Sequence, residues 1–262
     1  MSVHRSVTKH QDGAPRAAAF YDLDGTLVDF NLVHAALFIV GNLAEWTGRA
    51  AYFGGFLARV PQLYRAEQHD RRLLNITLFE GLRGISLDRL RALGEEYCER
   101  VLAGRVYPQA RALLEGNRAA GLEPVLVTGS PDFIVAPLAR ELQIAEFAAN
   151  RLRMSRGLAT GRLIEPVMAG SDKADWCTAW AAARGIDLRA CWGYADSYYD
   201  LPFLSALGHP VAVNPDRRLR ATALNRHWPI VNFKMEEESA ALSLTALIKN
   251  WLWSGGNGAT GS

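Results

Sequence analysis

Apolar and polar positions divide the chain into blocks with different periods. A polar leader gives way to "AAAFY" (17–21), a short unbroken apolar run of the kind that forms a strand covered on both faces. From about Leu32 to Gly104 no strand pattern stands out and helical spacing dominates. In "LDRLRALGEEYCERVL" (87–102), Leu90, Leu93, Tyr97 and Val101 fall on one stripe. Pro108 then opens a helix that Gly121 closes. Beyond it strands and helices alternate. "EPVLV" (123–127) predicts a strand stopping at "TGSP", followed by a helical stretch to about Leu142, bent at Pro137. "SRGLATGR" (155–162) reads as a hairpin, and "DKADWCTAWAAAR" (172–184) as a helix ended by Gly185. "LRACWGY" (188–194) predicts a strand ending at "ADSYYD". "HPVAV" (209–213) and "WPIVNF" (228–233) supply two more strands around a helix over 216–226.

Repeated strand–helix alternation implies an α/β fold, a Rossmann-like parallel sheet with helices on both faces. The helical block between the first strand and the rest is then an insertion, a cap over one sheet edge. This divides the chain into a core of 16–30 and 106–235, a helical cap of 31–105, and a C-terminal piece of 236–262. In that last piece, "EEESAALSLTALIKNWLW" (236–253) can place Leu242, Leu247 and Trp251 on one helical face, for packing or for a homodimer contact. The tail "SGGNGATGS" has the composition of a disordered segment.

Bulk numbers narrow the partners. The 262 residues carry a formal net charge of +2, with 49% hydrophobic and 21% charged residues, an ordinary globular balance without the charge of a dedicated nucleic-acid binder. The run from Arg65 to Arg72 reads as a solvated helix face. Cys98, Cys177 and Cys191 have no Cys-x-x-Cys spacing, which argues against disulfides or structural zinc and suits a reducing cytoplasm. The leader lacks the apolar core of a signal peptide. "NLVHAALFIVGNLAEW" (31–46) is too short to be a transmembrane segment and contains His34, Asn42 and Glu45, so it reads as a buried helix.

Chemistry concentrates where strands end. Ligands of a parallel sheet bind beyond its strands' carboxyl ends. There the chain offers Asp22 and Asp24; Thr128, Gly129 and Ser130; and Asp196 with Asp200, while Lys173 opens the helix after the hairpin. Singly, each has a bland reading as a turn, a cap or a surface charge. Together, at matching ends of one sheet, they read as a site. Side chains alternate along a strand, so Asp22 and Asp24 share a face while Leu23 points into the core. Gly25 lets the backbone turn away and leaves room for a ligand. Carboxylates brought this close repel one another unless a cation intervenes. Hard oxygen donors, with no cysteine or histidine in these motifs, favour Mg²⁺ over zinc.

The order "DLDGT" (22–26), "VLVTGS" (125–130), Lys173 and "YADSYYD" (194–200) resembles the haloacid dehalogenase superfamily. The stretch from 200 to 233 and the position of the cap resemble its phosphoserine phosphatase-like branch. The resemblance implies a phosphoric monoester hydrolase acting on a small phosphorylated metabolite. Asp22 would attack phosphorus and form an aspartyl-phosphate. Asp24 would protonate the leaving alcohol and then activate water. One of the two must be charged while the other holds a proton, which requires different surroundings. Mg²⁺ would be held by Asp22, the backbone carbonyl of Asp24 and Asp196, with Asp200 close by. Thr128, Gly129 and Ser130 would bind the phosphoryl oxygens at a helix start, and Lys173 would neutralise charge between Asp22 and the phosphate.

Two departures limit the substrate. Where phosphoserine phosphatases carry a glutamate early in the cap and an arginine further on, gapless counting finds Asn31 and Asn75, with Arg71 and Arg72 near the second. Phosphoserine is then one candidate beside histidinol phosphate and other amino-alcohol phosphates. A lysophospholipid is another, because the cap holds Leu37, Phe38, Tyr52, Phe53 and Phe56, although such stripes usually pack inward. Phosphotransfer to an alcohol would use the same residues. A receiver-type signalling module or a silent phosphate-binding protein is the non-enzyme alternative. The motif order, with Lys173 before the last acidic pair, disfavours the receiver.

Overall fold

The computed structural model describes residues 17–30, positions 35, 38, 39 and 42, and residues 71–235. Apart from those four positions the expected helix over 31–46 lies outside the described residues, as do Asn31, most of the Arg65–Arg72 run, and the C-terminal helix and tail.

Six parallel strands form the described sheet, in the order β3-β2-β1-β6-β7-β8. They are β1 (Ala18–Tyr21), β2 (Glu123–Pro131), β3 (Glu146–Asn150), β6 (Trp192–Ala195), β7 (His209–Val213) and β8 (Ile230–Val231). β1 lies at the centre, pairing with β2 on one side and β6 on the other. Period-two alternation along it sends Ala18 and Phe20 to one face and Ala19 and Tyr21 to the other, all fully buried. Phe20 and its neighbours pack on α5 (Ser171–Ala182), α6 (Leu201–Ser205) and α7 (Arg217–Asn225) through Cys177, Trp180, Phe203, Leu204 and Leu219. Tyr21 and its neighbours pack on α3 (Pro108–Ala119) and α4 (Asp132–Glu141) through Leu114, Ile134 and Leu138. Helices therefore cover both faces, and no described helix is long and apolar enough to cross a membrane.

The described part of the cap is helical: α1 (Arg71–Glu80), α2 (Leu87–Tyr97), a π turn (Cys98–Leu102) and a 3-10 turn (Ala103–Arg105). Ser86 caps α2 by accepting from the Arg89 N–H at 3.2 Å. Its stripe of Leu90, Leu93, Tyr97 and Val101 is buried as the spacing predicts. α4 runs through Pro137, whose missing N–H leaves the Phe133 carbonyl without its helical donor. α2 approaches that carbonyl at Gly94, where a Cβ would lie 1.9 Å from the oxygen.

The hairpin appears as β4 (Leu152–Ser155) and β5 (Leu158–Leu163). Several boundaries differ from the sequence pattern. β3, "EFAAN", was not expected, since two alanines and flanking polar residues carry little strand signal. Its pairing extends β2 past the expected stop at Val127 to Pro131, so α4 begins only at Asp132. The expected strand over 188–194 begins at Trp192 instead. Asp187 accepts from the Arg189 N–H at 2.9 Å and folds Leu188–Ala190 into a 3-10 turn. The last strand is only Ile230–Val231.

Candidate active site

The carboxyl ends of β1, β2 and β6 converge on one cavity of about 40 Å³. Asp22, Asp24, Leu74, Asn75, Gly129, Met168, Ala169, Gly170, Lys173, Tyr199 and Asp200 line it. Asp22 continues β1 by donating its N–H to the Tyr194 carbonyl at 2.9 Å, so sheet pairing sets its position. The chain then turns sharply: Leu27 N–H returns to the Leu23 carbonyl, and Gly25 sits at φ +78°. A Cβ on Gly25 would stand 2.4 Å from Asp196 Oδ2, so glycine is needed both for the turn and for space. Asn214, at the end of β7, donates its amide to the Gly25 carbonyl at 3.1 Å and accepts from the Phe233 N–H at 2.6 Å.

Lys173 is the electrostatic centre. It lies in the first turn of α5, only 4% exposed, with Nζ 2.7 Å from Asp22 Oδ1 and 2.8 Å from Asp200 Oδ1. Burial by itself would lower the pKa of the ammonium, but the Asp200 and Asp22 carboxylates outweigh it and hold the pKa above the usual lysine value. Both carboxylates are nearly as buried as the lysine.

Asp22, Asp196 and Asp200 bring carboxylate oxygens within 4.8 Å of one another. Three oxygen donors at this spacing, beside a glycine that leaves Asp196 its room, fit a hard divalent cation such as Mg²⁺. The Asp24 carboxylate is outside this trio. Its Oδ2 accepts from the Ser130 hydroxyl at 2.7 Å.

Thr128 and Ser130 are fully buried and are not among the cavity-lining residues. The Ser130 N–H donates to Thr128 Oγ1 at 3.1 Å, and these residues belong to the extended strand rather than to the helix start the sequence pattern suggested. Gly129 does line the cavity. Its carbonyl is held by the Asn150 amide at 2.7 Å, while Asn150 Oδ1 accepts from the Met168 N–H at 2.8 Å. Asn75 comes from α1 of the cap to the same place: a Cβ on Gly129 would lie 2.7 Å from Asn75 Nδ2. Arg72 does not line the cavity and pairs with Asp172 at 2.6 Å and Glu165 at 2.9 Å.

Sequence reasoning had no access to Asn150, Asn214 or Tyr199. Asn150 and Asn214 each work through contacts with distant segments, whereas Tyr199 lies inside "YADSYYD" and reaches the cavity wall only through the fold. Asn150 also lies at the end of the unexpected β3.

Comparison with known proteins identifies the family. Residues 19–205 match the haloacid dehalogenase-like hydrolase family. Phosphoserine phosphatase SerB1 of Mycobacterium tuberculosis is 31% identical over 244 residues, spanning 88% of this chain and 76% of that protein. A histidinol-phosphatase of Neisseria meningitidis is 29% identical over 227 residues, spanning 82% of this chain and 98% of that protein. Among solved structures, a Bordetella pertussis protein of unknown function superposes with a TM-score of 0.72 at 27% identity, covering 83% of this chain and 99% of its own. The chain belongs to the haloacid dehalogenase-like hydrolase family.

Proposed function

We propose that this protein is a Mg²⁺-dependent phosphomonoesterase that hydrolyses a small phosphate monoester through an aspartyl-phosphate on Asp22. The observation that carries the reading is the buried Lys173 bridge between Asp22 and Asp200 beside the three-carboxylate cluster. Such a bridge is costly to bury unless the charges have a task. Asp22, Asp196 and Asp200, with the Asp24 backbone carbonyl, would hold Mg²⁺, which when bound supplies positive charge to the phosphoryl oxygens.

The chain's own groups divide the remaining work. Asp22 Oδ forms the bond to phosphorus as the bond to the leaving alcohol oxygen breaks. Asp24 delivers the proton to that oxygen, then takes one from the water that attacks the phosphoenzyme. Ser130 holds the Asp24 carboxyl in orientation through the bond to Oδ2. Gly129 lines the phosphoryl cradle, with Thr128 buried behind it, and Lys173 offsets charge between Asp22 and the incoming phosphate.

The substrate class follows from the relatives and the cap. One relative is named a phosphoserine phosphatase and another a histidinol-phosphatase, and both names fit an amino-alcohol phosphate. Asn75 contributes a neutral amide at the cavity wall, suited to hydrogen bonding with a polar group of the substrate rather than to pairing with its carboxylate. The working division of the chain is a core of 16–30 and 106–235 with a cap of 31–105, in the cytoplasm.

The test is phosphate release over a panel of phosphoserine, histidinol phosphate, phosphoethanolamine, sugar phosphates and lysophosphatidate, with and without an alcohol acceptor. Release from an amino-alcohol phosphate is expected, silenced by EDTA and restored by Mg²⁺. Metal-independent turnover would remove the cation from the reading. Transfer to the acceptor in preference to water would make the enzyme a phosphotransferase, and a preference for lysophosphatidate would make it a lipid phosphatase.

A further inference from the structure

The cavity is narrow. At about 40 Å³ it is far smaller than the roughly 300 Å³ at which pockets for small organic ligands begin. Part of its wall must move to admit a substrate, and Leu74 and Asn75 on α1 are the described cap residues in that wall.

The two ends of α1 are attached differently. Its C-terminal end is fixed by backbone bonds to the hairpin. Gly84 N–H donates to the Ala159 carbonyl and Ala159 N–H to the Ile85 carbonyl, each at 2.8 Å. β5 also packs under that end, since a Cβ on Gly161 would stand 2.9 Å from the Glu80 carbonyl. In the N-terminal half Arg72 pairs with two acids of the core: Nη1 meets Asp172 at 2.6 Å and Nη2 meets Glu165 at 2.9 Å. These two acids bracket the segment whose centre, Met168–Gly170, lines the cavity, and Asp172 immediately precedes Lys173. On α1, Arg72 and Asn75 are three residues apart and therefore share a face.

We propose that Arg72 is a positioning residue that latches the cap helix shut. Its two-pronged grip on Glu165 and Asp172 closes Asn75 over Gly129 and braces the segment that leads into Lys173. Closure of the cap and bracing of the lysine helix are then one event. Single exposed ion pairs contribute little. This guanidinium, however, holds two carboxylates at once, and Asp172 is only 26% exposed. The latch rests on the reading of this cavity as the phosphate site, so its test includes a measurement that needs no turnover.

Amide hydrogen exchange of α1 is compared in wild type, Arg72→Lys and Arg72→Ala, alongside steady-state hydrolysis of p-nitrophenyl phosphate with Mg²⁺. Arg72→Ala is expected to speed exchange in α1 about fivefold and to raise KM about fivefold with kcat within twofold, as for a weakened closing equilibrium. Arg72→Lys keeps one charge and should fall between the two. Wild-type KM should rise with salt while that of Arg72→Ala stays flat. Unchanged exchange in Arg72→Ala would overturn the latch, as would a fall in kcat at constant KM. If wild type turns over no phosphoester, the functional reading fails and exchange alone decides the latch.

Discussion

The two sides of the cavity are built by different means. On the core side, Asp22, Lys173 and Asp200 are almost fully buried and are placed by sheet pairing and a helix start, with oppositely charged atoms 2.7 and 2.8 Å apart. On the cap side, Asn75 rides on a helix joined to the core by a hairpin seam and by Arg72, itself 43% exposed on its side chain. A charge network inside low dielectric tolerates no missing member, whereas a half-exposed attachment can open and close at little cost. The charged groups are thus fixed by the core, while Asn75 opposite them is carried by a cap helix.

Three substitutions sharpen that contrast. Asp22→Asn should have the largest effect, lowering phosphate release by several orders of magnitude because the nucleophile is lost. An unchanged circular dichroism spectrum should accompany the loss, and residual turnover above about a tenth of wild type would contradict the assignment. Lys173→Met comes next. It leaves Asp22 and Asp200 buried without their shared cation, so metal-free stability should fall by about 3–5 kcal/mol in urea denaturation. Mg²⁺ should restore part of it, and equal losses with and without Mg²⁺ would argue against a cation beside these carboxylates. Gly129→Ala should be the mildest. The new methyl group meets the end of the Asn75 side chain at 2.7 Å, a group able to swing away, and the Met168 carbonyl oxygen at 3.2 Å, which must give by a few tenths of an ångström. Stability should change by about 1 kcal/mol or less, while KM rises because Asn75 is displaced. A strong loss of stability would show that cap and core are more firmly fused than their attachment suggests.

Much of the core side was legible in the sequence because its signals are local. "AAAFY" and "HPVAV" announce buried strands by continuous apolar character, and the acids that follow a strand end are fixed relative to it by a period of two. Lys173 could be placed because it opens an evident helix. What escaped depends on partners far along the chain. β3 is held as a strand by β2 rather than by its own residues, and its pairing moved the start of α4 to Asp132. Ser130 looked like an anion-binding helix start, but its hydroxyl is committed to Asp24 and its N–H to Thr128. Asn75 was singled out only through the family resemblance, and the different task of Arg72 became visible only when Glu165 and Asp172 were seen on either side of it.

The Asn214 amide grips the carbonyl of Gly25 across 189 positions of sequence, and its own oxygen is in turn held by Phe233. The turn that follows Asp22 is therefore tied to the far rim of the sheet. In a chain still being synthesised these contacts cannot form until nearly the last strand has emerged.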